Sequence, residues 1–105
     1  MHVISLDARK WKTASDFYDA LLGKLGAPDW HGRNIAALVD SMIVGDINQV
    51  ESPLRVDITG INQASDQARD AMLSVFVALT RYGAVARITR SEASLEIGDG
   101  VSPYW

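Results

Sequence analysis

The chain contains no cysteine, which excludes disulfides, thiol nucleophiles and thiolate metal sites and agrees with a reducing compartment. Histidine is nearly missing too. His2 and His31 are the only imidazoles, and neither has a carboxylate at a helical ligand spacing, so a metal centre or a histidine-based acid–base pair has little to be built from. The glycines Gly23, Gly26, Gly32 and Gly45 stand singly, without the G-x-G-x-x-G or Walker spacing that cradles phosphates. Basic charge is short as well: 10 Lys and Arg face 13 Asp and Glu, a net charge of −3. No basic stripe is present to follow a nucleic-acid backbone. The longest apolar run, "LSVFVAL", is far below the ~20 residues of a membrane span. The opening "MHVISLDARKW" is broken by Asp7, Arg9 and Lys10 before a signal-peptide core can form. These absences predict a soluble cytoplasmic protein with no cofactor, no metal, and no direct nucleic-acid or membrane partner. A basic protein partner fits its charge.

What is present is enough for one core. With 105 residues, 48% of them hydrophobic, the chain reads as a single domain over 1–105. "HVISL" is β-rich and predicts a first strand. Thr13 and Asp16 form a T-x-x-D capping box, and Phe17, Leu21, Leu22 and Leu25 recur at helical spacing until Gly26 and Pro28, so a helix is expected over 14–25. Gly32 offers the positive φ of a tight turn, Asn34 is a good N-cap, and a second helix is expected over 35–44, closed by Gly45. "PLRVDIT" alternates Leu54, Val56 and Ile58 with Arg55, Asp57 and Thr59, a strand with one buried face. A single turn at 61–64 precedes a long helix capped by Ser65, with Ala68, Met72, Val75, Phe76, Leu79 and Tyr82 in one stripe, ending at Gly83. "AVARIT" reads as a third strand, and "SLEI" as an extra C-terminal strand that hairpins back beside it. The order predicts an α/β two-layer sandwich, a three-stranded parallel sheet with helices on one face.

The second helix is unusual in what it turns outward. At ~100° per residue, Ile35, Leu38, Val39, Met42 and Ile43 face inward and Ala36, Ala37, Asp40, Ser41 and Val44 face outward. An outer face made for water carries Lys, Glu or Gln, as the first helix does with Asp16, Asp19 and Lys24. This one is bare except for Asp40. Small neighbours around one carboxylate suit close approach by another protein, and Trp30 and His31 stand in the loop just before it. The competing account is that the alanines serve helix propensity, or that the C-terminal tail covers the helix.

The run "PDWHGRNIAALVDSM", with "SDFYDALLGKLGA" before it and "SVFVAL" in the long helix, resembles the barstar family, intracellular inhibitors of the bacterial ribonuclease barnase. The resemblance covers about residues 1–90 and is most specific from Ala27 to Asn34, with Ala37, Leu38 and Asp40 after it. It implies the barstar-like α/β fold and an inhibitor or immunity protein that occludes a nuclease active site with its second helix and the preceding loop. Trp30 and His31 match the family's adjacent loop aromatics, Gly32 and Asn34 its turn and cap, and Asp40 the carboxylate that occupies the enzyme's phosphate position. The implied binding set is therefore Trp30, His31, Gly32, Arg33, Asn34, Ala36, Ala37, Val39, Asp40, Ser41 and Val44. The implied partner is a basic nuclease, an RNase or RNase-like toxin. Ala36 and Ala78 stand where the family has acidic residues, Val39 replaces an aromatic and Arg33 an acid, departures that point away from barnase itself. The stretch from about 91 reads as an atypical C-terminal extension.

Two other functions compete. One is a barstar-like interaction module with a non-nuclease partner, including a homodimer through the C-terminal tail, where Tyr104 and Trp105 either form an exposed anchor or fold back. The other is a small hydrolase using His31. Arg81, Arg87 and Arg90 offer an RNA-binding edge, although interleaved with Thr80, Thr89 and Glu92 they read better as the polar face of a strand.

Overall fold

Thr13 lies in extended backbone, and its hydroxyl accepts the Asp16 N–H at 3.3 Å while the Asp16 carboxylate accepts the Thr13 N–H at 3.0 Å. In this computed structural model, which describes residues 1–98, that reciprocal cap satisfies backbone donors that a helix start otherwise leaves open. It launches helix α1, Ala14–Leu25, which buries Phe17, Leu21 and Leu25 and stops where Gly26 turns left-handed at φ 66°. Trp11 packs edge-on against Phe17 at 5.5 Å. Every one of these signals is local.

Before α1 comes strand β1 (His2–Asp7); after it come helix α2 (Ile35–Val39), strand β2 (Leu54–Thr59), helix α3 (Asp66–Thr80) and strands β3 (Val85–Ile88) and β4 (Glu92–Ile97). A single 3-10 turn, Ile61–Gln63, separates β2 from α3. The Ser65 hydroxyl accepts the Ala68 N–H at 3.2 Å and starts α3, whose buried stripe is Ala68, Met72, Val75, Phe76 and Leu79. Tyr82, expected in that stripe, is half-buried beyond the helix end.

The sheet corrects the expected topology. It has four strands in the order β1-β2-β4-β3 and is mixed: β1 and β2 are parallel, while β4 runs antiparallel to both β2 and β3. The three expected strands do point the same way, but β4 lies between two of them. The reason is in the side chains. Ala93, Leu95 and Ile97 give β4 an unbroken buried row, whereas Val85, Arg87 and Ile88 of β3 are exposed. The strand with more to bury takes the centre, and the short, half-polar one takes the edge. Thr89 closes the connecting turn, its N–H donating to the Glu92 carbonyl at 2.8 Å and its hydroxyl accepting the Glu92 N–H at 3.1 Å. Residues 92–97 are thus integral to the sheet. The expectations for Tyr104 and Trp105, and for a homodimer through the C-terminal tail, lie outside the described residues.

Ile4, Leu6, Leu54, Val56, Ile58, Leu95 and Ile97 project from the sheet into one core with the helices. Ser5, Arg55, Asp57, Ser94 and Glu96 point to the other, open side, where Arg55 pairs with Asp57 at 2.7 Å. Among the described residues no helix is long and apolar enough to cross a membrane.

Candidate functional site

The loop from α1 to α2 is built by short backbone turns. The Ala27 N–H donates to the Leu22 carbonyl at 3.1 Å, and the His31 N–H to the Pro28 carbonyl at 3.0 Å. The second turn separates two neighbours: Trp30 is left 74% exposed, and His31 is carried inside at 7%. The sequence reading offered both to a partner. The structure offers only Trp30, and the His31 ring is a correction to that reading.

His31 is held at both nitrogens. Its Nδ1 lies 2.7 Å from the Gly32 carbonyl oxygen, which can only accept, so Nδ1–H is the donor. In the neutral ring Nε2 then accepts the Ser41 hydroxyl at 2.7 Å. Ser41 is fully buried, a second correction, because the wheel had placed it outward. Past Val39 the helix widens into a π-helical turn, Asp40–Val44, closed by the Gly45 N–H on the Asp40 carbonyl at 3.0 Å. A wider turn advances less rotation per residue than the α geometry. Ser41, Met42 and Ile43 therefore all point inward, and Asp40 and Val44 remain outside. A serine bonded to an imidazole is the pairing that nucleophilic catalysis uses, but here the hydroxyl is sealed and the far ring nitrogen is spent on the main chain. The pair clasps the loop to the helix.

Gly32 is needed for space and not for a positive φ, which is found instead at Gly26, Gly45, Gly60 and Gly83. A Cβ at Gly32 would lie 2.8 Å from Asn34 Nδ2 and 3.3 Å from the Ala37 Cβ. Asn34 must keep that position, since its Oδ1 caps α2 by accepting the Ala37 N–H at 2.8 Å. Arg33 is exposed but committed: its Nε and Nη2 donate to Asp19 Oδ1 at 2.8 and 2.6 Å, strapping the loop to α1.

On the outside, Ala36 is exposed, Ala37 and Val39 are half-buried, and Val44 is exposed. Ile35, expected inward, is also partly in solvent. The Asp40 carboxylate is exposed, and among the described residues no ion pair or side-chain hydrogen bond engages it. Asp40 lines a depression of about 510 Å³ together with Ile35, Ala36, Val39, Ala78, Arg81 and Tyr82. The sequence reading reached α3 only at Ala78, through the family resemblance, and did not bring Arg81 or Tyr82 to this surface. Among the described residues, no group of three or more metal-ligating side chains gathers here or elsewhere.

A protein-family model described as Barstar (barnase inhibitor) matches residues 1–95 of the chain. Neither the curated proteins nor the solved structures contain a match to it.

Proposed function

Because the chain belongs to the barstar family, whose members inhibit barnase-type ribonucleases, we propose that it plugs the active site of a basic ribonuclease or ribonuclease-like toxin with loop 28–34 and the α2 segment. The observation that carries this reading is Asp40: a solvent-facing carboxylate, unpaired among the described residues, on a helix face otherwise made of the uncharged Ile35, Ala36, Val39 and Val44. A ribonuclease cleft holds cations where the scissile phosphate sits. One anion among small neighbours suits such a cleft, because the alanines let the two backbones approach and exclude water from the ion pair.

The rest of the segment serves that contact by being fixed in advance. The His31–Ser41 clasp, the Asn34 cap and the Arg33–Asp19 strap fix the loop and the α2 segment that carry Trp30 and Asp40, so little backbone ordering remains to be done on binding. Trp30, large and exposed, is the aromatic anchor at the edge of the contact. The net charge of −3 steers encounter with a basic enzyme. The action is occlusion, without chemistry by the inhibitor.

The test is an inhibition assay with Asp40→Ala. The variant keeps the wild-type melting temperature and loses at least ~2 kcal/mol of affinity, the usual hot-spot threshold, which is about 30-fold in Kd. Full inhibition by the variant would refute the mechanism.

A further inference from the structure

The depression beside Asp40 contains a second charge of opposite sign. Arg81, the residue that closes α3, is exposed and lines the same depression. It also lines an adjoining one of about 460 Å³ with Leu73, Val77 and Ala78. Arg9, Arg33, Arg55 and Arg69 are each paired to an aspartate of this chain. Arg81 has no such partner among the described residues, and it is not within ion-pair distance of Asp40.

The shared depression has a consequence for binding. A partner that seals Asp40 from water also covers Arg81, and a guanidinium buried without an acceptor is strongly unfavourable. A partner surface that was cationic throughout would add like-charge repulsion to that loss. We propose that Arg81 is a specificity-determining residue: this surface takes a barnase-type ribonuclease that meets Asp40 with its cationic cleft and meets Arg81 with a carboxylate on the cleft's rim. The inference rests on the reading of Asp40 given above, and it makes the partner's rim bipolar. Arg81 thereby rejects nucleases whose rim is basic all round, which is specificity through an unfavourable contact.

The experiment uses a display library of barnase variants, with acidic, neutral and basic residues at the surface positions around the active-site cleft, selected separately on the full-length protein and on Arg81→Glu. The wild type enriches Asp or Glu at one or more rim positions, and Arg81→Glu enriches Lys or Arg at the same positions. Exchanged pairings bind at least tenfold more weakly than matched ones. Arg81→Gln, which removes the charge and leaves a polar side chain, loses the preference. Enrichment of the same residues by wild type and Arg81→Glu, or of Lys or Arg by the wild type, overturns the proposal. Asp40→Ala separates the two levels. If it fails to bind the selected variants while Arg81 shows no charge preference, only the inference about Arg81 falls. If Asp40→Ala binds them as the wild type does, or if no variant binds the wild type at all, the reading of the whole site falls with it.

Discussion

Helices α1 and α2 follow each other in the chain and turn opposite surfaces to solvent. Around α1 the exposed positions are Ser15, Asp19, Gly23 and Lys24, a face that water wets at no cost; along α2 and the π-helical turn they are Ile35, Ala36, Asp40 and Val44. Their origins differ as well. α1 has 12 residues with side-chain capping at its start and a left-handed glycine at its end, so its boundaries are largely self-determined. α2 has 5 residues, too few to persist alone when isolated helices need ~12–15. It exists because Leu38, Met42 and Ile43 are buried and because His31 and Ser41 clasp it to the preceding loop. A segment whose shape is imposed from within leaves its outer side chains free for another purpose.

The largest expected effects test the inner faces, where the two helices should behave alike. Phe17→Ala in α1 and Leu38→Ala in α2 each empty a site with no solvent exposure, and should cost ~3–5 and ~2–5 kcal/mol in urea unfolding. The comparison sharpens in the binding data. Phe17→Ala reduces inhibition only by its unfolded fraction, whereas Leu38→Ala reduces it further, since α2 loses its seat.

The outer faces should then diverge. Ala36→Lys and Ser15→Lys both place a cation on an exposed helix position and should change stability by no more than ~0.5 kcal/mol in thermal melts. Ala36→Lys brings that charge against a cationic cleft and should lose ~2 kcal/mol or more of affinity. Ser15→Lys should leave affinity as it was. Equal affinities for the two variants would break the distinction between the faces.

Ser41→Ala probes what holds α2. It strands a buried imidazole nitrogen, at a cost of ~1–3 kcal/mol, and amide exchange should accelerate over residues 31–45 more than in α1. The contrasting feature of the α1 side is acid sensitivity. The Arg9 guanidinium beside Asp7 lowers its pKa from 3.8 to about 2, and the Lys12 and Thr13 N–H groups lower that of Asp16. Both folded-state values lie below the unfolded ones, so their contribution is complete above the unfolded pKa and is lost as pH falls through the folded values. Urea midpoints should decline between about pH 4 and pH 2, and the decline should be shallower in Asp7→Asn and Asp16→Asn.

The same contrast explains what the sequence made legible. Every signal for α1 lies within a few residues: Thr13 with Asp16, the period of Phe17, Leu21 and Leu25, then Gly26. The position of β4 was not readable that way, because it depends on which of two adjacent strands buries the better face, Ala93, Leu95 and Ile97 against Ala86 and Ile88. Nor was the inward turn of His31, which is decided by a backbone hydrogen bond to Pro28 and a hydroxyl ten residues away. The wheel placed Asp40 correctly on the outside and misplaced Ser41 because the helix widens between them. Arg81 joined the surface only through the packing of α3 against α2. The Asp40 charge was visible in the chain; the place of Arg81 beside it required the fold.

The most direct test of the account is the Kd of the complex with a barnase-type ribonuclease as inorganic phosphate replaces chloride at constant ionic strength. If Asp40 fills the enzyme's phosphate position, the apparent Kd of the wild type rises in proportion to phosphate, while the weaker Kd of Asp40→Ala stays flat. A wild-type Kd that does not respond to phosphate would contradict the account, because the carboxylate and the phosphate would then occupy different places.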